Sequence, residues 1–387
     1  MQARTARGAR TVLVAATAVA AAVALAAPAV AAPAPAGTDH TATRKAMDAA
    51  VVKDGVPGVA LQAKDKRGVW KATSGVGDTR TGKPRSAHDR YRVGSITKTF
   101  VSTVLLQLEA EGRLSLDDKV DTWLPGLVRG NGHDGRAVTL RQLLNHTSGI
   151  YDYTSDEEFG RTYFLKDGFF RHRYDTIPPK RLVAVAMKHK PDFAPGTDWS
   201  YSNTNYVLAG MVIGKVTGNP YGDEVRARVI EPLGLRSTLV PGTYPKVPGP
   251  SSRAYGKLAR TATGPTYDVT ELNPSLASAA GEMISDSGDL NRFYSALLKG
   301  RLLPPKQLAE MKTTIKVDEI PGAGYGLGLI ERRLSCGITV WGHGGGIHGS
   351  TSEAVTTSDG RHSLALNLNS DWTGDPEAIV EAEFCGK

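Results

Sequence analysis

The chain has 387 residues, 40% hydrophobic and 22% charged, an ordinary globular composition that fits one large domain or two. Two cysteines, Cys336 and Cys385, exclude a disulfide-dense scaffold and a cysteine-based zinc cluster; the nine histidines show no ligand spacing, so no metal or other cofactor is expected. The formal charge of +8 comes from scattered basic residues, which argues against nucleic acid as a partner and fits solubility or affinity for an anionic cell wall.

In chain order, Arg4, Arg7 and Arg10 precede an Ala/Val-rich apolar run at 11–27, and Ala29-Val30-Ala31 supplies a small-x-small cleavage pattern. Residues 1–31 therefore read as an export signal. Its removal takes away three arginines and no acids, lowering +8 to +5, and leaves a secreted protein without a stable membrane anchor. Residues 32–41 form a Pro/Ala/Gly linker. A short helix over 40–54 stops at Gly55 and Pro57, and strands 59–64 and 69–74 form a hairpin around Asp65-Lys66-Arg67-Gly68. Residues 95–111 read as an apolar helix stopped by Gly112. Further helices are expected at 140–145 behind a Thr139 cap, at 179–189 starting on proline, and at 206–216, 223–230 and 287–299. The stretches 148–178 and 240–273 are long, sparsely periodic loops. Strands then return at 325–331, 337–341, 351–357 and 363–368, with Asp359-Gly360 as a hairpin turn, before a closing helix at 376–384.

Strands lie at both ends and helices lie between them. The expected fold is α/β (α+β): one antiparallel sheet built from both chain ends, flanked by terminal helices, with a mostly helical insert. The sheet domain would comprise 42–94 and 270–387, the helical domain 95–269, and the site would lie in the crevice between them.

Three segments carry chemistry. Ser95 sits at a helix start with Lys98 three residues on, so the amine reaches the hydroxyl on one helix face, and the free first-turn amides favour an anion. Tyr201-Ser202-Asn203 follows a Pro195-Gly196 turn and precedes a helix; Ser or Asn there also fits a helix cap. Trp341-Gly342-His343-Gly344-Gly345-Gly346 follows a strand, and its glycines let backbone approach a ligand closely. Competing motifs fail: Pro84 breaks the P-loop pattern at 77–84, no helix follows Gly344-x-Gly346-x-x-Gly349, and no G-x-S-x-G elbow exists.

S-x-x-K, Y-x-N and H-x-G in this order resemble the motifs of penicillin-recognising serine hydrolases, in the branch of class C β-lactamases, D,D-carboxypeptidases, D-aminopeptidases and esterases. Leu143-Leu144-Asn145-His146-Thr147-Ser148-Gly149, Tyr325-Gly326-Leu327-Gly328, Tyr151-Asp152-Tyr153-Thr154 and the two late cysteines are similar to features of that branch. The resemblance covers about residues 45–387 and is nearest to secreted bacterial D-alanyl-D-alanine carboxypeptidases. It implies acyl transfer with Ser95 as nucleophile and with Lys98 and Tyr201 sharing the proton work, a positive Lys98 favouring tyrosinate character in Tyr201. Asn203, His343, Gly345 and Gly346 would bind substrate, with the backbone N–H groups of Ser95 and Gly346 as oxyanion hole and His343 as a titratable positive group at the crevice edge. The remaining suspects, such as His146, read as structural.

The resemblance also implies a small peptide or cell-wall substrate, inhibition by β-lactams and a monomer. D-aminopeptidase, esterase, β-lactamase and a non-catalytic penicillin-recognising binder are the alternatives. The similar carboxypeptidases bind a substrate carboxylate through two hydroxyl residues and one basic residue. Here those positions are Gly344, Gly346 and Ile330, so no such grip is expected, with Arg332 as a partial substitute. Export implies an oxidising compartment, in which Cys336 and Cys385, flanking a strand and the last helix, would pair.

Overall fold

The computed structural model describes residues 39–317 and 322–386. The expected export signal at 1–31 and most of the linker at 32–41 lie outside the described residues. The described residues lie in one compact unit.

The principal elements are helix α1 (Thr41–Val52), strands β1 (Gly58–Asp65), β2 (Gly68–Asp78) and β3 (Lys83–Pro84), helices α2 (Thr97–Ala110), α3 (Asn203–Thr217) and α4 (Ser287–Leu298), strands β4 (Ile315–Val317), β5 (Ala323–Tyr325), β6 (Ile330–Arg333), β7 (Thr339–Ile347), β8 (Ser350–Thr357) and β9 (Ser363–Leu368), and helix α5 (Pro376–Cys385). The strands form one nine-stranded sheet in the order β4-β5-β6-β7-β8-β9-β1-β2-β3. Every pair is antiparallel, and β9 joins β1 with Val59 opposite Leu368, so the two chain ends build one sheet, as the sequence pattern implies.

Period-2 alternation explains why the central strands are buried on both faces. Leu364, Leu366 and Leu368 of β9 pack with Val59, Leu61 and Ala63 of β1 against Met47 and Ala50 of α1 and Ile379, Val380 and Phe384 of α5. Ala365 points the other way, into a core shared with Phe293 of α4. That second core runs on through Phe100 of α2 and Tyr206 of α3, so the helical insert and one sheet face are packed as one body. The Phe100 and Phe293 rings stack with centroids 3.7 Å apart. Among the described residues no helix is long and apolar enough to cross a membrane.

Several local expectations change. The strand expected at 325–331 is two strands, β5 and β6, because Gly326–Leu329 turns against α2. A side chain on Gly328 (φ +70) would meet Ser102 Oγ at 2.4 Å, and Thr99 Oγ1 donates to the Gly328 carbonyl at 2.7 Å. The strand expected to end at 341 runs on to Ile347, so the glycine-rich motif lies within β7. The loop at 148–178 holds three short helices, the second capped by Asp156, whose carboxylate accepts from Phe159 N at 2.7 Å. The helix at 140–144 carries a full capping box, Thr139 with Gln142.

Cys336 and Cys385 are disulfide-bonded, tying the turn before β7 to the end of α5 across 49 residues of chain. Denatured, unreduced protein should show no titratable thiol, and the Cys336→Ser/Cys385→Ser pair should lose roughly 2–4 kcal/mol of stability in denaturant melts. Two free thiols before reduction would refute the bridge.

Candidate active site

The α-helix expected to begin at Ser95 begins two residues later. Gly94–Ile96 is a 3-10 turn, and α2 follows from Thr97. Gly94 is left-handed (φ +52), and a Cβ there would come within 2.7 Å of the Gly346 nitrogen. The reciprocal contact is tighter: a Cβ on Gly345 would lie 1.9 Å from the Val93 carbonyl oxygen and 2.9 Å from the Ser95 nitrogen. Strand β7 is thus laid directly against the nucleophile turn, and only glycine permits it. Position 346 meets nothing within 4 Å and faces the open crevice.

Lys98, the second residue of α2, is fully buried. Its Nζ lies 2.9 Å from Ser95 Oγ, 2.8 Å from Asn203 Oδ1 and 2.8 Å from the Ala280 carbonyl oxygen. A free amine has two N–H groups and one lone pair. Two of these partners are carbonyl acceptors and the third is a hydroxyl that can donate or accept, so the set accommodates the free amine as well as the ammonium. Burial lowers the Lys98 pKa to about 7, against a partial upward pull from Asp152. Asn203, the first residue of α3, donates from Nδ2 to Asp152 Oδ2 at 2.9 Å, and Asp152 also accepts from the Thr154 amide and hydroxyl. Burial raises the Asp152 pKa. Asp152 is the member of this chain that motif reading passed over, although its tetrapeptide had been noticed.

Tyr201 sits with its ring centre 4.8 Å from Lys98 Nζ. Burial pushes its pKa well above that of an ordinary tyrosine, with the Ser95 hydroxyl pulling it partly back. Burial thus favours a neutral Lys98 and works against the tyrosinate that a charged Lys98 would favour. Ser202 gives no side-chain cap to α3; instead its amide donates to His146 Nδ1 at 3.2 Å.

His343 also departs from expectation. It is 3% exposed, and burial, with Lys98 nearby, lowers its pKa to about 3, so it is neutral and set inside the fold. Alternation along β7 places its side chain on the face of Gly345, turned inward. Hydrogen-bond accounting fixes its tautomer. His146 Nδ1 accepts from the Ser202 amide, so its Nε2–H donates to Tyr325 Oη at 3.2 Å; Tyr325 Oη–H donates to His343 Nε2 at 3.0 Å; His343 Nδ1–H donates to the Gly344 carbonyl at 2.5 Å. This buried chain links the Tyr201 segment to the glycine strand. His146 is structural in this specific sense, and Tyr325 belongs beside it.

Arg332 does not reach the crevice. It faces Val340 in the ladder, two residues beyond the Ile330–Gly342 pair, and its guanidinium binds Glu353 at 2.7 Å and also Glu377. Ser95, Asn203, Ala280 and Gly346 line a cavity of about 480 Å³. Among the described residues no group of histidine, cysteine or carboxylate side chains is arranged to hold a metal.

A family model described as Beta-lactamase matches residues 42–379. A D-stereospecific amidohydrolase from Streptomyces sp. is 62% identical, with a TM-score of 0.86 over 90% of this chain and 100% of that one. The D-amino acid amidase from Ochrobactrum anthropi, in complex with D-phenylalanine, is 31% identical, with a TM-score of 0.76 over 89% and 99%. Penicillin-binding protein 4 of Amycolatopsis lactamdurans is 27% identical over 79% of this chain and 75% of its own.

Gly345→Ala should force β7 off the 93–95 turn. Labelling of Ser95 by a fluorophosphonate should slow by at least about a hundredfold, the scale of losing an oxyanion donor. Thermal melts should show a loss of roughly 1–3 kcal/mol, the scale of overpacking. Unchanged labelling would show that the strand does not set the geometry at Ser95.

Proposed function

The chain belongs to the Beta-lactamase family of serine hydrolases, and from that membership we propose that it is an amidohydrolase selective for D-configured aminoacyl substrates, acting through an acyl-enzyme on Ser95. The observation that carries this reading is the missing carboxylate grip. Gly344 and Gly346 offer no hydroxyl, and Arg332 is neutralised by Glu353 and Glu377. A D,D-carboxypeptidase must hold a terminal carboxylate, whereas an amidase need not. The likeness to D-stereospecific amidohydrolase and D-amino acid amidase structures supports the same direction.

In this reading the Lys98 free amine takes the Ser95 proton as Oγ attacks the carbonyl carbon. The oxyanion forms against the amides of Ser95 and Gly346, donors typically worth ~3 kcal/mol each. Tyr201, held protonated, passes its proton to the departing amine and recovers one from Lys98 by way of the site. Water then attacks the ester with Lys98 again as base, releasing the acid and free Ser95. Asn203 and Asp152 hold the amine in place and act as positioning residues.

The base must be unprotonated, so kcat/KM should fall about tenfold per pH unit below an apparent pKa near 7 and be level above it. Lys98→Arg, which stays charged, should be inactive at every pH; an acid limb at pH 4–5 would point instead to a carboxylate.

Substrate choice is tested with D- and L-phenylalanine amide, where kcat/KM should favour the D form by at least about a hundredfold, or ~2.7 kcal/mol. A D-Ala-D-Ala peptide and its C-terminal amide should differ by less than about tenfold. A hundredfold preference for the free carboxylate would replace this reading with the carboxypeptidase one.

A further inference from the structure

The cavity beside Ser95 runs along Gly346, Ile347 and His348 to Asp371 and Trp372. Asp371 is the only carboxylate among its lining residues. Its position is built by backbone. Oδ2 accepts from the Gly349 amide at 2.7 Å. Two glycines make the cradle. A Cβ on Gly256 would sit 2.9 Å from Oδ2, and Gly349 (φ +69), in the turn between β7 and β8, would collide with Val269 and Tyr255. The side chain is open to solvent, yet the crevice walls hold its pKa above the usual aspartate value.

The basic groups of the crevice are committed elsewhere. Lys257 Nζ donates to the Gly264 carbonyl at 2.7 Å and to Thr266 Oγ1 at 2.9 Å, over the Trp372 ring. Arg260 faces Glu157 at 3.7 Å. His348 Nε2 donates to the Tyr163 carbonyl at 2.8 Å, and burial lowers its pKa to about 4, so it is neutral. Among the described residues no cationic side chain forms an ion pair with Asp371. Among the described residues the crevice therefore presents one oriented carboxylate that forms no direct ion pair.

We propose that Asp371 anchors a primary ammonium of the substrate, carried well beyond the scissile carbonyl. This deepens the D-aminoacyl amidohydrolase reading and rests on it. The strand bounds the reach: Gly346 to Gly349 is three residues, at most about 10 Å. An α-ammonium, two bonds from the carbonyl carbon, spans only the short end of that range. A lysyl side-chain ammonium, or the amino terminus of one further residue, reaches the long end. An ammonium–carboxylate hydrogen bond is stronger than a neutral one, and the surrounding walls strengthen it further.

The experiment compares kcat/KM for the p-nitroanilides of D-lysine and D-norleucine, which differ by the ammonium group alone. A second pair is D-alanyl-D-alanine p-nitroanilide with a free and with an acetylated amino terminus. Wild type should prefer the charged member of at least one pair by about tenfold or more, and Asp371→Asn should bring that ratio below about threefold. The pair that responds identifies the ammonium as side-chain or chain-terminal. Ratios near one for both pairs overturn the proposal, as does a preference that Asp371→Asn leaves intact. Because the substitution also touches the Gly349 turn, the wild-type ratio is read again at about 0.5 M salt, where an electrostatic anchor loses most of its preference; a salt-insensitive ratio overturns it as well. Failure of the underlying reading appears separately, as absent discrimination between D- and L-norleucine p-nitroanilide.

Discussion

The site depends on one buried nitrogen. Lys98 Nζ has no water to solvate it, and its three partners come from three separate parts of the chain: the Gly94–Ile96 turn, the start of α3 and the Ala280 carbonyl. Burying a charged ammonium is expensive, which lowers its pKa toward neutrality. Burying a free amine is tolerable only if both N–H groups and the lone pair are matched. Each of the three segments is therefore held in place by the need to satisfy this atom. Asn203 extends the constraint to Asp152, and so to the short helices of the 148–178 stretch.

Close backbone contact supplies the second constraint. The 93–95 turn and the 344–346 segment of β7 approach so nearly that neither Gly94 nor Gly345 has room for a methyl group. The sheet itself brings the strand there, since β7 lies between β6 and β8 in a continuous ladder. The His146–Tyr325–His343 chain then ties the strand to the Tyr201 segment by hydrogen bonds of defined direction among neutral, buried groups. Such a chain is stable only when every member is paired, which gives the arrangement a single solution.

Around this rigid centre the crevice wall is more varied. The stretch 257–262 contributes one side, with the Lys257 and Arg260 side chains turned to partners of their own. The positions that would carry hydroxyls for a carboxylate are glycine, and the nearby arginine is paired with buried Glu353 and with the more exposed Glu377. The crevice thus lacks hydroxyl or arginine partners at positions 330, 344 and 346 and offers an acidic group at Asp371.

Much of this was written in the sequence. The period-2 runs at both ends gave the sheet its strands; the S-x-x-K spacing put Lys98 within reach of Ser95, and Thr139 announced a helix start. These are local rules, in which neighbours a few residues apart decide the outcome. What tertiary structure decided was each property that depends on surroundings. His343 is neutral and inward because the interior encloses it, and Tyr201 keeps its proton for the same reason. The 325–331 run breaks into a hairpin because Gly326–Leu329 must turn against α2, a helix more than 200 residues earlier in the chain. Arg332 is lost to Glu353 through a strand register that no local pattern specifies. Charge state, tautomer and counter-ion are set by what packs around a group, and that packing is assembled from residues far apart in the chain.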